Sequence, residues 1–149
     1  MISMRNLSHR LVLAIAANTL VAGMSMAQTP TPSEPRVVLK GYDAVAYFSD
    51  NKAVKGAPAI NYEWDDGRYQ FSSAKNRQTF SADPDRYAPQ FAGFCTAAMS
   101  KGRKVEADPE IFMVVNGKLY TFASLKARDA ALADPSLLAR AAKNWHEKK

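Results

Sequence analysis

The chain is poor in the residues that most often carry chemistry: it has 149 residues but a single cysteine, Cys95, and only two histidines. One cysteine cannot form an internal disulfide, so the fold must depend on its apolar core. Without a Cys-x-x-Cys pair, thioredoxin-type thiol exchange is excluded. The sequence also lacks a phosphate-binding glycine loop, a serine-hydrolase elbow and a His-Glu-x-x-His motif. These absences remove the common enzyme classes, and we expect a protein that is not an enzyme.

The first 27 residues have the pattern of a secretory signal peptide. Arg5 and Arg10 give a positive start, an apolar stretch runs from Leu11 to Met24, and Ser25 and Ala27 are the small residues that signal peptidase requires. The apolar stretch is shorter than the about 20 residues that a membrane span needs. We therefore expect cleavage after Ala27, a periplasmic or secreted location, and no membrane span after processing.

The remainder divides into a short lead-in and one domain. Residues 28–36 contain three prolines and no large apolar side chain, which is typical of a flexible segment. Residues 37–149 are numerous enough to bury a core of their own. The mature part carries 18 basic and 14 acidic residues, a net charge of +4. An exported protein does not normally meet nucleic acid, so we assign this modest basicity to solubility or to contact with anionic surfaces, and the cluster Lys101–Lys104 to a solvated face.

An eight-residue pattern occurs twice, 51 positions apart, at residues 69–84 and 120–135. Each copy reads Tyr-x-Phe-x-Ser-x-Lys-x-Arg and closes on Ala-Asp-Pro. The Tyr-x-Phe alternation predicts a half-buried strand, and the serine occupies a helix N-cap position. Proline disfavours helical geometry in the residue before it, so the helix should end there. The sequence thus predicts one strand–helix unit built twice.

Turn signals place a partner strand before each copy of the pattern. Asp65-Asp66-Gly67 connects residues 60–64 to the first copy, and Asn116-Gly117 connects residues 111–115 to the second. Helices are predicted at residues 74–82, 125–133 and 136–147. We therefore predict an α+β fold with a small antiparallel sheet built from two β-hairpins, each followed by a helix, plus a C-terminal helix. The apolar run from Ala44 to Phe48 fits either a buried strand or a short helix.

Cys95, Met99 and His146 are the candidate metal ligands. Residues 95–100 are predicted to form a short helix, on which Cys95 and Met99, four positions apart, share a face. Soft thiolate and thioether ligands suit Cu(I), which makes copper the candidate cofactor. His146 is the only histidine that remains after processing. The alternative is that the two sulfur-bearing residues are core residues and that His146 is a surface residue.

Tyr42 and Asp43 are the candidate cofactor-binding residues, because they precede the apolar run at the start of the domain. Asp43 either contacts a ligand or caps a turn through its own backbone. Most aromatic side chains are expected in the core, and a minority would line a pocket.

Three segments together resemble the YHS-domain family, and its small exported members in particular. The first is Gly41–Phe48, similar to the family's opening GYDxVAYF. The second is the run from Tyr69 to Cys95, and the third is Asp108-Pro109 followed by Val115–Tyr120. The second segment matches the family at Tyr69, Phe71, Ser73, Arg77, Phe80, Asp83-Pro84, Tyr87, Pro89, Gly93 and Cys95. The resemblance implies a small α+β domain.

For the wider YHS superfamily, the resemblance also implies a link to metal handling. Metal-handling relatives carry cysteines near the opening and after the Tyr-x-Phe strand. This chain has no cysteine in residues 40–48, and Ser72-Ser73-Ala74 follows Phe71. The histidine of the family name is absent, with Tyr62-Glu63-Trp64 in its region. The family's metal site therefore does not carry over to these positions.

The sequence leads to three functional hypotheses. The first is an exported, non-enzymatic YHS-like binding domain that holds a soft metal ion (copper) or a small ligand near Cys95. The second is a metal-free periplasmic interaction or accessory module that offers a surface groove to a protein partner. The third is a thiol-dependent enzyme, which would need a base that lowers the pKa of the Cys95 thiol.

Overall fold

The computed structural model describes residues 33–148. The predicted signal peptide, its cleavage site after Ala27 and residues 28–32 of the lead-in lie outside the described residues. Within residues 33–148 the chain forms short helices and two small sheets, ending in a C-terminal helix. The predicted α+β class is thereby confirmed.

The elements follow one another with short connections. The strands are β1 (Arg36–Val37), β2 (Ala57–Trp64), β3 (Gly67–Phe71), β4 (Asp108–Val115) and β5 (Lys118–Phe122). The helices are α1 (Ala46–Ser49), α2 (Ala74–Ala82), α3 (Pro84–Tyr87), α4 (Thr96–Met99), α5 (Leu125–Ala133) and α6 (Ser136–His146). Two tight turns, Val38–Gly41 and Gln90–Gly93, precede α1 and α4.

Each hairpin belongs to a sheet of its own, whereas the sequence predicted one sheet built from both. Strands β2 and β3 pair antiparallel with Tyr62 opposite Tyr69, and β1 adds to β3 in parallel. Strands β4 and β5 pair antiparallel with Met113 opposite Tyr120. The edge of β5 that β4 leaves open meets Cys95 in an isolated parallel bridge to Thr121. Because β1 and Cys95 occupy these edges of β3 and β5, the two strands do not pair with each other.

Both repeat helices begin and end where the sequence predicted. Ser73 Oγ accepts a hydrogen bond from Asn76 N at the start of α2, and Ser124 Oγ accepts one from Ala127 N at the start of α5, both at 3.1 Å. An N-cap side chain of this kind pairs one of the backbone N–H groups that the first helical turn leaves unpaired. Both helices then end at the Ala-Asp-Pro sequence, as expected from the restriction that proline places on the preceding residue.

The repeat extends further toward the N-terminus than the sequence pattern indicated. Leu39, Lys40 and Gly41 all have left-handed backbone angles, with φ of 52°, 48° and 83°. The corresponding tight turn, 52 positions later, shows the same path with φ of 58°, 51° and 77° at Phe91, Ala92 and Gly93. Such angles disfavour residues with a Cβ atom, so two consecutive non-glycine residues in each turn must be held by their surroundings.

The segment after each tight turn repeats as well. Asp43 N donates to Val54 O, and Cys95 N donates to Val105 O, each at 2.8 Å. Asp43 and Cys95 therefore hold equivalent positions in a first half, residues 36–87, and a second half, residues 88–133. Residues 36–133 are thus a structural duplication, to which α6 is added.

The apolar core forms two clusters that follow these halves in the main, although Ala88 and Leu119 of the second half belong to the first cluster. Tyr69, Phe71 and Phe80 pack in the first cluster, where Tyr69 and Phe80 have ring centroids 4.5 Å apart. Met99 and Phe122 lie at the centre of the second cluster and are fully buried. Helix α6 covers this second cluster with an apolar stripe, and Asn144 Nδ2 donates to Met99 O at 3.0 Å.

Candidate functional site

Asp43 has a buried carboxylate with protein partners on both oxygens. Oδ1 accepts from Val45 N at 2.9 Å, the local turn contact expected of an aspartate that caps its own backbone. Oδ2 accepts from Ser72 N at 2.8 Å, from Ser72 Oγ at 2.6 Å and from Asn76 Nδ2 at 2.8 Å. The side chain is 0% exposed. This arrangement favours the turn-capping alternative, and it ties the start of α1 to the start of α2.

The same contact explains why residues 44–48 do not form a strand. Asp43 turns the backbone at Val45 and Ala46 N donates to Asp43 O at 3.2 Å, so the apolar run enters the short helix α1. Ala46 and Tyr47 of this helix are buried in the first cluster or beside it.

Tyr42 contacts the second half of the chain, unlike Asp43. Its hydroxyl donates to Glu110 Oε1 at 3.3 Å, and Lys55 Nζ lies 4.9 Å from its ring centroid. Desolvation, followed by the charge of Glu110, raises the pKa of the Tyr42 hydroxyl. The two candidate cofactor-binding residues thus have separate sets of partners and do not form one site.

Cys95 and Met99 lie together in the second core cluster. Cys95 is 2% exposed and Met99 0% exposed, and Met99 N donates to Cys95 O at 2.9 Å within the single turn of α4. Two buried threonine hydroxyls near this turn, Thr96 Oγ1 and Thr121 Oγ1, have no hydrogen-bond partner among residues 33–148. The burial of both sulfur-bearing side chains favours the core interpretation over an accessible metal site.

His146 is solvent-exposed at the last position of α6, in a different environment from the two sulfur-bearing residues. Across residues 33–148, no group of three His, Cys, Asp or Glu side chains could hold a metal ion. The structure therefore does not assemble the three candidate ligands into one apparent centre.

A cleft of about 610 Å³ lies between the turn of the first hairpin, the second tight turn and α6. Its lining draws on both halves of the duplication. Five aromatic residues, including both tryptophans of the chain, contribute to it: Trp64, Tyr69, Phe91, Phe94 and Trp145. Trp145 packs against Phe91 with ring centroids 6.1 Å apart, which fixes the indole on the wall of the cleft.

Two cations lie over Phe94 and Trp145, the two rings that we call the aromatic wall. The guanidinium carbon of Arg36 is 4.2 Å from the centroid of Phe94, and Lys104 Nζ is 5.0 Å from that of Trp145 and 6.0 Å from that of Phe94. Arg36 also donates to Ala92 O at 2.7 Å and lies 3.6 Å from Glu106 Oε1. Arg36 also donates to Val37 O at 3.4 Å, so four contacts hold it in place, whereas within residues 33–148 the Lys104 ammonium has only its contacts with the two rings.

Charges of both signs surround this wall. Lys118 and Lys148 add two cations to the lining, and the acidic residues of the lining are Asp65, Asp66 and Asp85. Within the described part of the chain, no carboxylate lies within 4.0 Å of the ammonium groups of Lys104, Lys118 or Lys148. All three lysines are solvent-exposed.

Sequence reasoning missed the cleft because its residues are far apart in the chain. The sequence places Lys104 in a basic cluster and Trp145 in the predicted C-terminal helix, and neither position indicates a shared site. The available signal was the scarcity of tryptophan. The chain has only two, Trp64 and Trp145, and both line the cleft.

Comparisons with family models, with curated proteins and with solved structures find no match for this chain. The resemblance to the YHS-domain family therefore stays a prediction. None of the helices within residues 33–148 is both long enough and apolar enough to cross a membrane.

Proposed function

We propose that this chain is an exported, non-enzymatic YHS-like binding domain, and that it holds a small ligand in the cleft between the first hairpin and α6. The observation that carries the proposal is the aromatic wall of this cleft, where Lys104 lies over Trp145 with no carboxylate partner among the described residues. Export is supported by the signal-peptide pattern of the first 27 residues.

The dimensions and composition of the cleft support a small-molecule ligand. Small-molecule sites usually enclose about 300–1,000 Å³ and combine aromatic walls with a few polar groups. The volume of about 610 Å³ lies in this range. Sites of this kind also tend to form where separate structural units meet. Here segments of both halves and α6 contribute to the lining.

The burial of Cys95 is the reason for placing the ligand in the cleft and not at the thiol. Reactive cysteines lie in partly exposed, electropositive surroundings, whereas Cys95 is 2% exposed within an apolar cluster. A thiol-dependent enzyme or a copper carrier would need the sulfur to be reachable. These surroundings support a packing role for Cys95 and a binding role for the cleft.

The experiment is native mass spectrometry of residues 28–149 purified from the periplasm without chelators. We expect a stoichiometric organic adduct that is released on denaturation and reduced in Trp145→Leu. Leu132→Ala is the control, because Leu132 is 60% exposed on α5 and does not line the cleft. Circular dichroism checks that both variants remain folded.

Three results would contradict the proposal. One is an adduct retained in full by folded Trp145→Leu, and another is a Cu(I) adduct that Cys95→Ser abolishes. The third is the absence of any organic adduct together with no ligand-observed NMR signal, from a small-molecule library, that depends on Trp145. Sequencing of the mature N-terminus tests export separately, and we expect it to begin at Gln28.

A further inference from the structure

We infer that the ligand of the cleft is a small organic anion, a carboxylate or a phosphate ester carried on an aromatic or flat apolar body. This inference rests on the proposed function, since it names the ligand class of the same cleft. Three features support it. The lysines of the cleft have no carboxylate partner among residues 33–148, the aromatic rings are half-buried, and the faces of these rings already carry cations of the protein.

The lysines supply the site for the anionic group. Lys104 is solvent-exposed and its Nζ lies 5.0 Å from the centroid of the Trp145 ring, so its donors are accessible beside the aromatic wall. No carboxylate of residues 33–148 lies within 4.0 Å of it. Hydrogen bonds between an ammonium and a carboxylate or phosphate are stronger than neutral ones. An anion placed here would pair with an ammonium group that has no carboxylate partner within the described residues.

The aromatic rings supply the surface for the body of the ligand. Phe94 and Trp145 are half-buried and have their centroids 6.5 Å apart. Phe91 lies beneath Trp145 and is buried. A flat apolar body packed beside these rings, whose faces carry Arg36 and Lys104, would gain area burial. A ligand with an anionic end and a flat apolar body therefore meets complementary groups at both ends.

A cationic ligand has no comparable place. Aromatic faces are the usual position for a ligand ammonium, but Arg36 already lies 4.2 Å from the Phe94 centroid and Lys104 occupies the face of Trp145. A polyanion is disfavoured by the acidic residues of the lining, Asp66 and Asp85, because like charges repel. The charge pattern thus selects a compact ligand with one anionic group.

The test measures tryptophan fluorescence while four probes of similar shape are added: benzoate, phenyl phosphate, benzyl alcohol and benzylamine. We expect the two anions to bind about tenfold more tightly than benzyl alcohol, which is the discrimination of a single charge-assisted hydrogen bond. Lys104→Gln should weaken anion binding by a similar factor and leave benzyl alcohol unaffected. Lys126→Gln, which changes an exposed lysine of α5 outside the cleft, should bind as the wild type does.

The outcomes separate the ligand class from the proposed function. If benzyl alcohol and benzoate bind equally in the cleft, or if Lys104→Gln matches Lys126→Gln, the anion inference is overturned while the cleft remains a binding site. Tighter binding of benzylamine also overturns it. If none of the probes binds at any concentration, both the ligand class and the cleft assignment are overturned. Between the two anions, the tighter one identifies the head group as a carboxylate or a phosphate.

Discussion

Replacing Asp43 with alanine should destabilise the protein far more than an aspartate substitution usually does. The carboxylate is 0% exposed and accepts four hydrogen bonds, so its removal leaves all four donors without their partner. Val45 N lies in a fully buried contact, whereas the donors of Ser72 and Asn76 are partly buried and can turn to water.

The magnitude follows from this difference in burial. A buried donor left without a partner costs about 1–3 kcal/mol, and a partly buried one costs less because water replaces the carboxylate. One buried donor and three partly buried donors give a loss of about 3–4 kcal/mol. Asp43→Asn should lower the free energy of unfolding by about 2 kcal/mol. One oxygen still accepts hydrogen bonds, but the new NH2 group faces a donor and cannot accept from it. The total free energy of unfolding of a small domain is only about 5–15 kcal/mol.

Urea unfolding monitored by circular dichroism measures this loss. With a typical slope of about 1–3 kcal/mol per molar, the unfolding midpoint of Asp43→Ala should fall by roughly 2 M. Asp50→Ala is the matched control, because Asp50 lies on the exposed end of α1 and should change stability by less than about 0.5 kcal/mol. A midpoint for Asp43→Ala within experimental error of Asp50→Ala would refute the reasoning, and loss of ligand binding at unchanged stability would make Asp43 a ligand contact.

Three further predictions concern stability. Cys95→Ser should lose about 1–3 kcal/mol in urea unfolding, because a hydroxyl replaces a thiol in an apolar cluster, and wild type and variant should respond alike to Cu(I). A stoichiometric Cu(I) adduct in the wild type alone would contradict this. Burial raises the pKa of Tyr47, so the folded state favours the neutral phenol; its stabilisation is complete below about pH 10 and is lost as the pH rises further. Urea unfolding across this range should show a smaller alkaline loss for Tyr47→Phe, and equal losses would count against it. Ser73→Ala and Ser124→Ala should each cost about 1 kcal/mol, since each serine caps a helix in the same way; an unequal pair in thermal unfolding would show that the two caps are not equivalent.

The hairpins and repeat helices could be predicted because their signals are local. The Asn116-Gly117 turn, the serine caps and the Asp-Pro helix ends act within a few residues, and the structure places β5, α2 and α5 at the predicted residues. The division into two sheets could not be predicted, because it depends on which distant segment meets each strand edge. Cys95 meets β5 through a single bridge to Thr121, a contact with no pattern in the sequence.

The candidate site was harder to predict than the fold for a related reason. Sequence reasoning selects residues by chemical type, and it therefore selected Cys95 and Met99, whose side chains the structure buries. The cleft depends on where common residues lie: Arg36 is in β1, Lys104 lies in a loop, and Trp145 is near the end of the last helix. Arg36 and Lys104 meet over Phe94, and the packing of α6 against the second cluster adds Trp145.

The structural duplication makes each half a template for redesigning the other. Cys95 holds the position of Asp43, while Ala123 and Ala127 hold those of Ser72 and Asn76. Three substitutions, Cys95→Asp, Ala123→Ser and Ala127→Asn, would therefore introduce the hydrogen-bond network of Asp43 at the equivalent positions of the second half. The resulting chain would have no cysteine, so neither thiol oxidation nor an intermolecular disulfide could modify it. The two halves would then share one buried polar network, and Met99 and Met113 would be the remaining sites of sulfur oxidation within residues 33–148.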